Sequence, residues 1–354
     1  MRSGRGDIEY LRVMKISTLI AGMLVSLVMS YIVYFGFTTN YTRFSFSRES
    51  FLQQYNHDVY KYRIVSKYLL LETEQLLNNI QPTKKADWRI LILDSSASNN
   101  FYYAYFLLNT LFLMLSSIVL ALLLDMETQF SWSRGEKRLL LFFLPILICL
   151  TQFVICPYDV CSYFFQLLTI YVFLEYFDRY YWTTIFITGF LIILGTLNRE
   201  SSALTVAYLV LVIFGKKGLT MRAWTSITSF AGCFLVPYLA LRLLIKDPPG
   251  WHSLDTIDKF QLNLQWDLSH WGLIFWALFS WLAVTICRSR ENKGLIFFYY
   301  LTCLPYIYTC VVYGVLWELR LFIPIFIGAV LLSGLDTNRL QSPLAIYARK
   351  TGWL

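Results

Sequence analysis

The sequence predicts an all-α, polytopic membrane protein with about ten transmembrane helices and an amphipathic juxtamembrane helix on the outer face. Three observations predict it: a composition rich in apolar and poor in charged residues, a series of apolar runs, and Lys and Arg gathered in every second loop. Of the 354 residues, 57% are hydrophobic and 15% are charged, against about 25% charged in an average soluble domain. Aromatic side chains number 28 Phe, 25 Tyr and 11 Trp. This composition excludes a disordered chain, a collagen-like chain and a soluble nucleic-acid binder, even with a net charge of +8. Ten spans of about 20 residues occupy about 200 residues. Residues 1–354 therefore read as a single transmembrane domain.

Taken in order, Arg2, Arg5, Arg12 and Lys15 precede an apolar run from Ile16 to Phe37. This start resembles a signal sequence, but it has no small-residue cleavage site and reads as an uncleaved first span. A first outer loop over 38–100 follows, with an amphipathic stretch from Ser47 to Leu77. Within it, Val65, Leu69 and Leu70 share a helical face with Tyr62, which predicts a helix lying at the outer membrane surface. Asn40-Tyr41-Thr42 fits the N-glycosylation pattern but lies too near the first span to be a useful signal. Further runs lie near 101–124, 139–156, 160–177, 182–198, 201–214 and 223–245. A second outer loop over 246–269 is broken by Pro248, Pro249 and Gly250, with Trp251 and Trp266 suited to an interface. The last runs lie near 270–287, 295–316 and 320–334.

Basic residues then set the sides. Arg134, Lys137 and Arg138, then Arg179, then Lys216, Lys217 and Arg222, then Arg288, Arg290 and Lys293, and finally Arg339, Arg349 and Lys350 all follow even-numbered spans. The opposite short loops carry almost none beyond Arg199 and Arg320. The positive-inside rule predicts a multi-pass protein of the cell membrane with both termini cytoplasmic. The seven Cys lie mostly in apolar runs, where they pack as small hydrophobes. With no four-Cys spacing and only three His, no zinc or His-rich metal site is expected; the cofactor stays open, a divalent cation being possible but not indicated. Cys156 and Cys161 flank one outer turn; a disulfide and two free thiols are alternative states there, free thiols being the commoner.

The short outer hairpins carry the functional signal. Residues 182–214 form one apolar run of about 33, interrupted only by Asn198, Arg199, Glu200 and Ser201. A straight helix of that length would reach about 50 Å across a core of about 30 Å, so the chain must turn there. Similar turns are expected at Cys156-Pro157-Tyr158-Asp159 and at Trp317-Glu318-Leu319-Arg320. The halves are short, so Asp159, Arg199, Glu200, Glu318 and Arg320 should sit below the membrane surface and line one polar cavity open to the outer side. The plainer alternative is a structural ion pair, Arg199 with Glu318 or Glu200 with Arg320, tying span ends together.

Asp58 begins the amphipathic helix in Asn56-His57-Asp58-Val59-Tyr60-Lys61-Tyr62-Arg63. Either Asn56 or Asp58 is an ordinary N-cap, or Asp58 is a general base held above the cavity. Asp58 and Tyr62 are four apart and would share a helical face. His57 is a second polar group, and Arg63 points elsewhere, toward a lipid phosphate.

This layout resembles the GT-C class of membrane glycosyltransferases, in a distant, reduced form. The residues that carry the resemblance are Asp58 with the stretch through Leu77, and the charged turns Asn198-Arg199-Glu200 and Glu318-Leu319-Arg320. The first loop has His57-Asp58 in place of a paired acidic motif. The resemblance implies transfer of a sugar from a polyprenyl-phosphate carrier at the outer face, with a lipid-linked donor, membrane lipids around it and a glycan or protein acceptor. It implies Asp58 as base and Arg199 and Arg320 as phosphate clamps. Asp159, Glu200 and Glu318 would orient the arginines or bind sugar hydroxyls, and Tyr158 and Trp317 would stack on sugar faces. Competing expectations are a polysaccharide polymerase or ligase acting on lipid-linked oligosaccharide, a transporter, and a non-enzymatic assembly component.

Overall fold

The computed structural model describes residues 4–36, 46–80 apart from 57, 99–246 apart from 127, 153 and 219, and 260–336 apart from 262, 266, 267 and 288. Among these the chain is helical, with a lone β-bridge between Phe130 and Leu335. The helices are α1 (Gly4–Gly36), α2 (Arg48–Tyr55), α3 (Ile64–Ile80), α4 (Asn100–Asp125), α5 (Arg134–Leu150), α6 (Asp159–Tyr176), α7 (Tyr181–Asn198), α8 (Ser202–Lys217), α9 (Met221–Leu244), α10 (Leu268–Thr285), α11 (Arg290–Tyr313) and α12 (Ile323–Ser333). Short 3₁₀ turns at Asp58–Tyr62 and Leu319–Leu321 precede α3 and α12.

Each apolar run of the sequence falls on one helix. Among the described residues, five helical segments are long and apolar enough to cross a membrane: Ile16–Gly36, Asn100–Asp125, Tyr181–Asn198, Met221–Leu244 and Arg290–Tyr313. Four of the apolar helices start at side-chain caps. Asn99, Ser133, Thr220 and Ser289 each accept a hydrogen bond from a backbone N–H in the first turn, and Ser133 forms a reciprocal capping box with Glu136. Helix α8 ends at Gly218, whose φ of 61° is open to glycine at little cost.

Helix α4 packs between α1 and α6; α7 joins α6 to α9; and α12 packs on α8, α10 and α11. All eleven residues of α12 are buried, so this short helix is apolar all round and fills the interior. Helix α9 is its opposite. Only 6% of its apolar window is covered by protein, and Val236, Leu239 and Leu243 are open to the surroundings.

The turns gather at two ends. At the basic end, the α4–α5 turn meets the end of α12 through Ser131 N to Gly334 O (2.8 Å). There the Asn292 side-chain amide donates to the carbonyls of Leu332, Ser333 and Leu335. At the other end lie the turns carrying Asp159, Arg199 and Arg320, with α3 packed beside them on α4 and α7.

The amphipathic outer stretch is one element less regular than expected. It is a helix, a 3₁₀ turn and a second helix, not one helix from Ser47 onward. Asp58 and Tyr62 thus belong to a 3₁₀ turn, where residues three apart eclipse, and not to the α-helix on which a spacing of four was expected to give a shared face. On α3, Ser66, Leu70 and Glu74 face inward. Tyr68, Leu69, Leu76 and Ile80 stay exposed.

Candidate functional site at the charged turns

The three hairpin turns come together at one end of the bundle. Helix α6 starts at Asp159, α7 ends into Arg199, and the turn before α12 carries Glu318 and Arg320. Asp159 lies between two arginines. Arg199 Nη1 donates to its Oδ1 at 2.5 Å, and Arg320 Nη1 donates to its Oδ2 at 2.8 Å. Arg320 also grips Glu318, with Nη2 and Nε at 2.6 and 3.1 Å from Oε2. Its Nη1 reaches Tyr158 Oη at 2.9 Å and Cys156 Sγ at 3.0 Å. Both Cys156 and Cys161 are free thiols.

Backbone carbonyls lock the group in place. Asn198 donates to Tyr158 O (2.9 Å), and Tyr163 Oη donates to Arg320 O (2.9 Å). Asp159, Arg199, Arg320 and Glu318 have side chains only 0–6% exposed. Two carboxylates meet two guanidiniums, so the group is neutral within itself. Desolvation of such charges is costly, and only dense mutual pairing offsets it.

This corrects two sequence expectations. The ion pairs are not Arg199 with Glu318 and Glu200 with Arg320; Asp159 is the shared partner, because the start of α6 sits between the other two turns. These four residues also do not present charge to an open cavity, since they direct it at each other.

Glu200 stands apart in a second, looser group. It faces Arg63 Nη2 at 3.5 Å and Arg242 Nη2 at 3.6 Å, with side chains 23%, 11% and 29% exposed respectively. Here too the sequence reading needs correction: Arg63 does not point elsewhere but turns into the site. The irregular residue between the 3₁₀ turn and α3 frees it to do so.

Tyrosine rings back both arginines. Arg63 lies over Tyr158 at 3.9 Å and Tyr60 at 5.0 Å, and Arg242 over Tyr238 at 3.6 Å and Tyr62 at 4.7 Å. Rings at such distances attract guanidinium charge. Burial opposes the Arg63 charge, but Tyr158 and Glu200 beside it outweigh that and raise its pKa above the ordinary value. Burial likewise pushes the Tyr60 and Tyr158 phenols up, so both remain protonated at neutral pH. Two arginines against one carboxylate leave this group with a net charge of +1. Two of its polar atoms, Arg63 Nε and Glu200 Oε1, are buried without a hydrogen-bond partner.

Tyr158 links the two groups. Its ring lies within 3.9, 5.5 and 5.8 Å of the guanidiniums of Arg63, Arg199 and Arg320. It is only 1% exposed, so its faces serve arginine and not a sugar. Compared with known proteins, the chain matches no family model, no curated protein and no solved structure.

Of the remaining sequence candidates, Asp58 opens the 3₁₀ turn that leads to Arg63. Its side chain, and the whole of His57, lie outside the described residues. Among the described residues, no three His, Cys, Asp or Glu gather as a metal site. Arg242, Tyr60 and Tyr238 were missed by sequence reasoning. The available signal was Arg242 in the last turn of α9, a charged residue inside an otherwise apolar run.

Proposed function

We propose that the protein is a membrane glycosyltransferase that moves a sugar from a polyprenyl-phosphate carrier to an acceptor at the outer membrane face. The observation that carries this reading is the pair Arg63 and Arg242. Two tyrosine-backed guanidiniums converge from different elements, hold net positive charge, and keep one donor unmet. Arginine's planar fork suits phosphate oxygens. A pyrophosphate-linked donor would use the same fork, but the single pair of guanidiniums favours one phosphate.

In this reading the ten apolar helices all span the bilayer, both termini are cytoplasmic, and α3 lies at the outer surface with Leu69, Leu76 and Ile80 toward lipid. Asp58 takes the proton of the acceptor hydroxyl. The acceptor oxygen bonds to the anomeric carbon, and the bond from that carbon to the phosphate oxygen breaks. The electron pair leaves with the lipid phosphate, whose charge Arg63 and Arg242 stabilise. Arg199 and Arg320, assigned as clamps from the sequence, instead fix the floor under Tyr158 together with Asp159 and Glu318. Tyr62 and Tyr238 hold Arg242.

The test is sugar transfer from a radiolabelled polyprenyl-phosphate sugar to membrane acceptors by the purified protein in nanodiscs. Asp58→Asn preserves shape and capping capacity, so it should leave a folded protein with transfer reduced roughly 10²-fold or more. Full activity in that variant would make Asp58 a cap and not a base.

A further inference from the structure

Resting on the phosphate site proposed above, we infer that Glu200 is the stand-in occupant of that site, a carboxylate latch that a phosphate must displace. Its contacts are those of an occupant that fits poorly. Charge-assisted hydrogen bonds between guanidinium and carboxylate run at about 2.7–2.9 Å. Glu200 stands 3.5 Å from Arg63 and 3.6 Å from Arg242, within ion-pair reach of both but hydrogen-bonded to neither. Its Oε1 is buried and unpartnered, as is Arg63 Nε. An unmet buried donor and an unmet buried acceptor in one small site are each costly. A tetrahedral anion with three or four oxygens could meet both arginines where two carboxylate oxygens do not.

The moving part and the fixed parts are distinct. The arginines are held by rings, at 3.9 Å over Tyr158 for Arg63 and 3.6 Å over Tyr238 for Arg242. The backbone of Glu200 is held as well. Arg199 N bonds to Gly195 O, Ser202 N to Arg199 O, and Ala203 N to Glu200 O. Its neighbour Arg199 is anchored on Asp159. Only the Glu200 side chain, 23% exposed, is left to rotate. Rotation would vacate the space between the guanidiniums without disturbing the turn. The latch holds one negative charge. The sugar-bearing donor, a phosphodiester, also brings one and displaces it through its oxygen geometry. The lipid monophosphate released by transfer brings about two and neutralises the two arginines more fully. In the resting state Glu200 keeps the pair from binding weaker anions and from repelling each other.

The experiment measures equilibrium binding of two probes to the full-length protein in nanodiscs: a polyprenyl monophosphate, and inorganic phosphate. Glu200→Gln should tighten binding about tenfold, equivalent to about 1.4 kcal/mol. Glu200→Asp, whose shorter carboxylate withdraws from both arginines, should also tighten it and serves if the Gln variant does not fold. Arg63→Ala and Arg242→Ala should abolish binding. Tightening for both probes assigns recognition to the phosphate itself; tightening for the lipid alone makes the chain part of the ligand. If binding is lost in the arginine variants yet unchanged or weakened in both Glu200 variants, the latch is wrong and the phosphate site stands. If neither wild type nor Glu200→Gln binds either probe, the phosphate site fails and the latch with it.

Discussion

Tyr158 does at the scale of one residue what a whole loop often does: it makes two charge groups into one structure. Its hydroxyl accepts from Arg320 and its ring supports Arg63. Tyr158→Phe removes the first contact and keeps the second, so it should cost about 1 kcal/mol of stability with phosphate binding retained. Tyr158→Ala removes both and leaves a cavity, and should cost about 3–5 kcal/mol and release Arg63. Thermal unfolding in detergent, read beside probe binding, separates the two. Asp159→Ala is expected to be as severe, about 3–5 kcal/mol, because it strands Arg199 as a buried unpaired charge and leaves Arg320 with Glu318 alone.

The raised pKa of Arg63 gives a pH prediction with a definite sign. A guanidinium keeps its proton until strongly alkaline pH even when unperturbed, and the upward shift extends that range, so its charge persists through the working range. Phosphate binding should therefore stay flat between about pH 7.5 and 9.5, and weaken only below about pH 6, where the phosphate itself takes up a proton. A fall on the alkaline side approaching about pH 10 would point to lysine as the binding group.

At the scale of elements, the hydrophobic pattern made the helices legible and left their interruptions obscure. Every apolar run became a helix, and the charged tetrads at 156–159, 198–201 and 317–320 became turns, because a continuous helix there would outrun the bilayer. Run 139–156 is the exception in detail: its helix stops at Leu150, and Thr151, Gln152 and residues 154–158 lie outside it. The outer stretch was read as one amphipathic helix because its spacing favours one. Its break at Asn56 and Arg63 depends on tertiary contacts that periodicity does not record. Choosing among Arg199, Glu318, Glu200 and Arg320 as partners was illegible for the same reason, since it rests on which turn lies between the other two.

Helix α3 offers a test of how its two faces divide. Leu70 is fully buried while Leu76 is 60% exposed. Leu70→Ala should cost about 2–5 kcal/mol. Leu76→Ala should leave the unfolding temperature in detergent nearly unchanged; under the proposed placement of α3 on the outer surface, it should also reduce quenching of a fluorophore at Tyr68 by lipid-borne quenchers.

At the scale of the molecule, the sequence separates a basic end from an end bearing mixed, paired charge, and the structure keeps them apart. If the basic end is cytoplasmic, single cysteines introduced near Lys84 should react with an impermeant maleimide added outside cells, and those near Lys216 should not. The reverse pattern would invert the orientation and move the charged turns to the inner face.

The wholly buried helix α12 has a consequence for how the protein is made. It emerges from the ribosome after the other nine apolar helices, yet it occupies the space between α8, α10 and α11. Synthesis runs from the N-terminus, so a nascent chain carries a vacant slot at its heart until residues 323–333 arrive. Up to that moment Asp159 has only Arg199 for company, and Arg320 reaches it as the keystone of an arch already standing. Chains arrested before residue 320 should remain open to protease at the α10–α11 hairpin and held by the insertion machinery, whereas chains released after residue 336 should close.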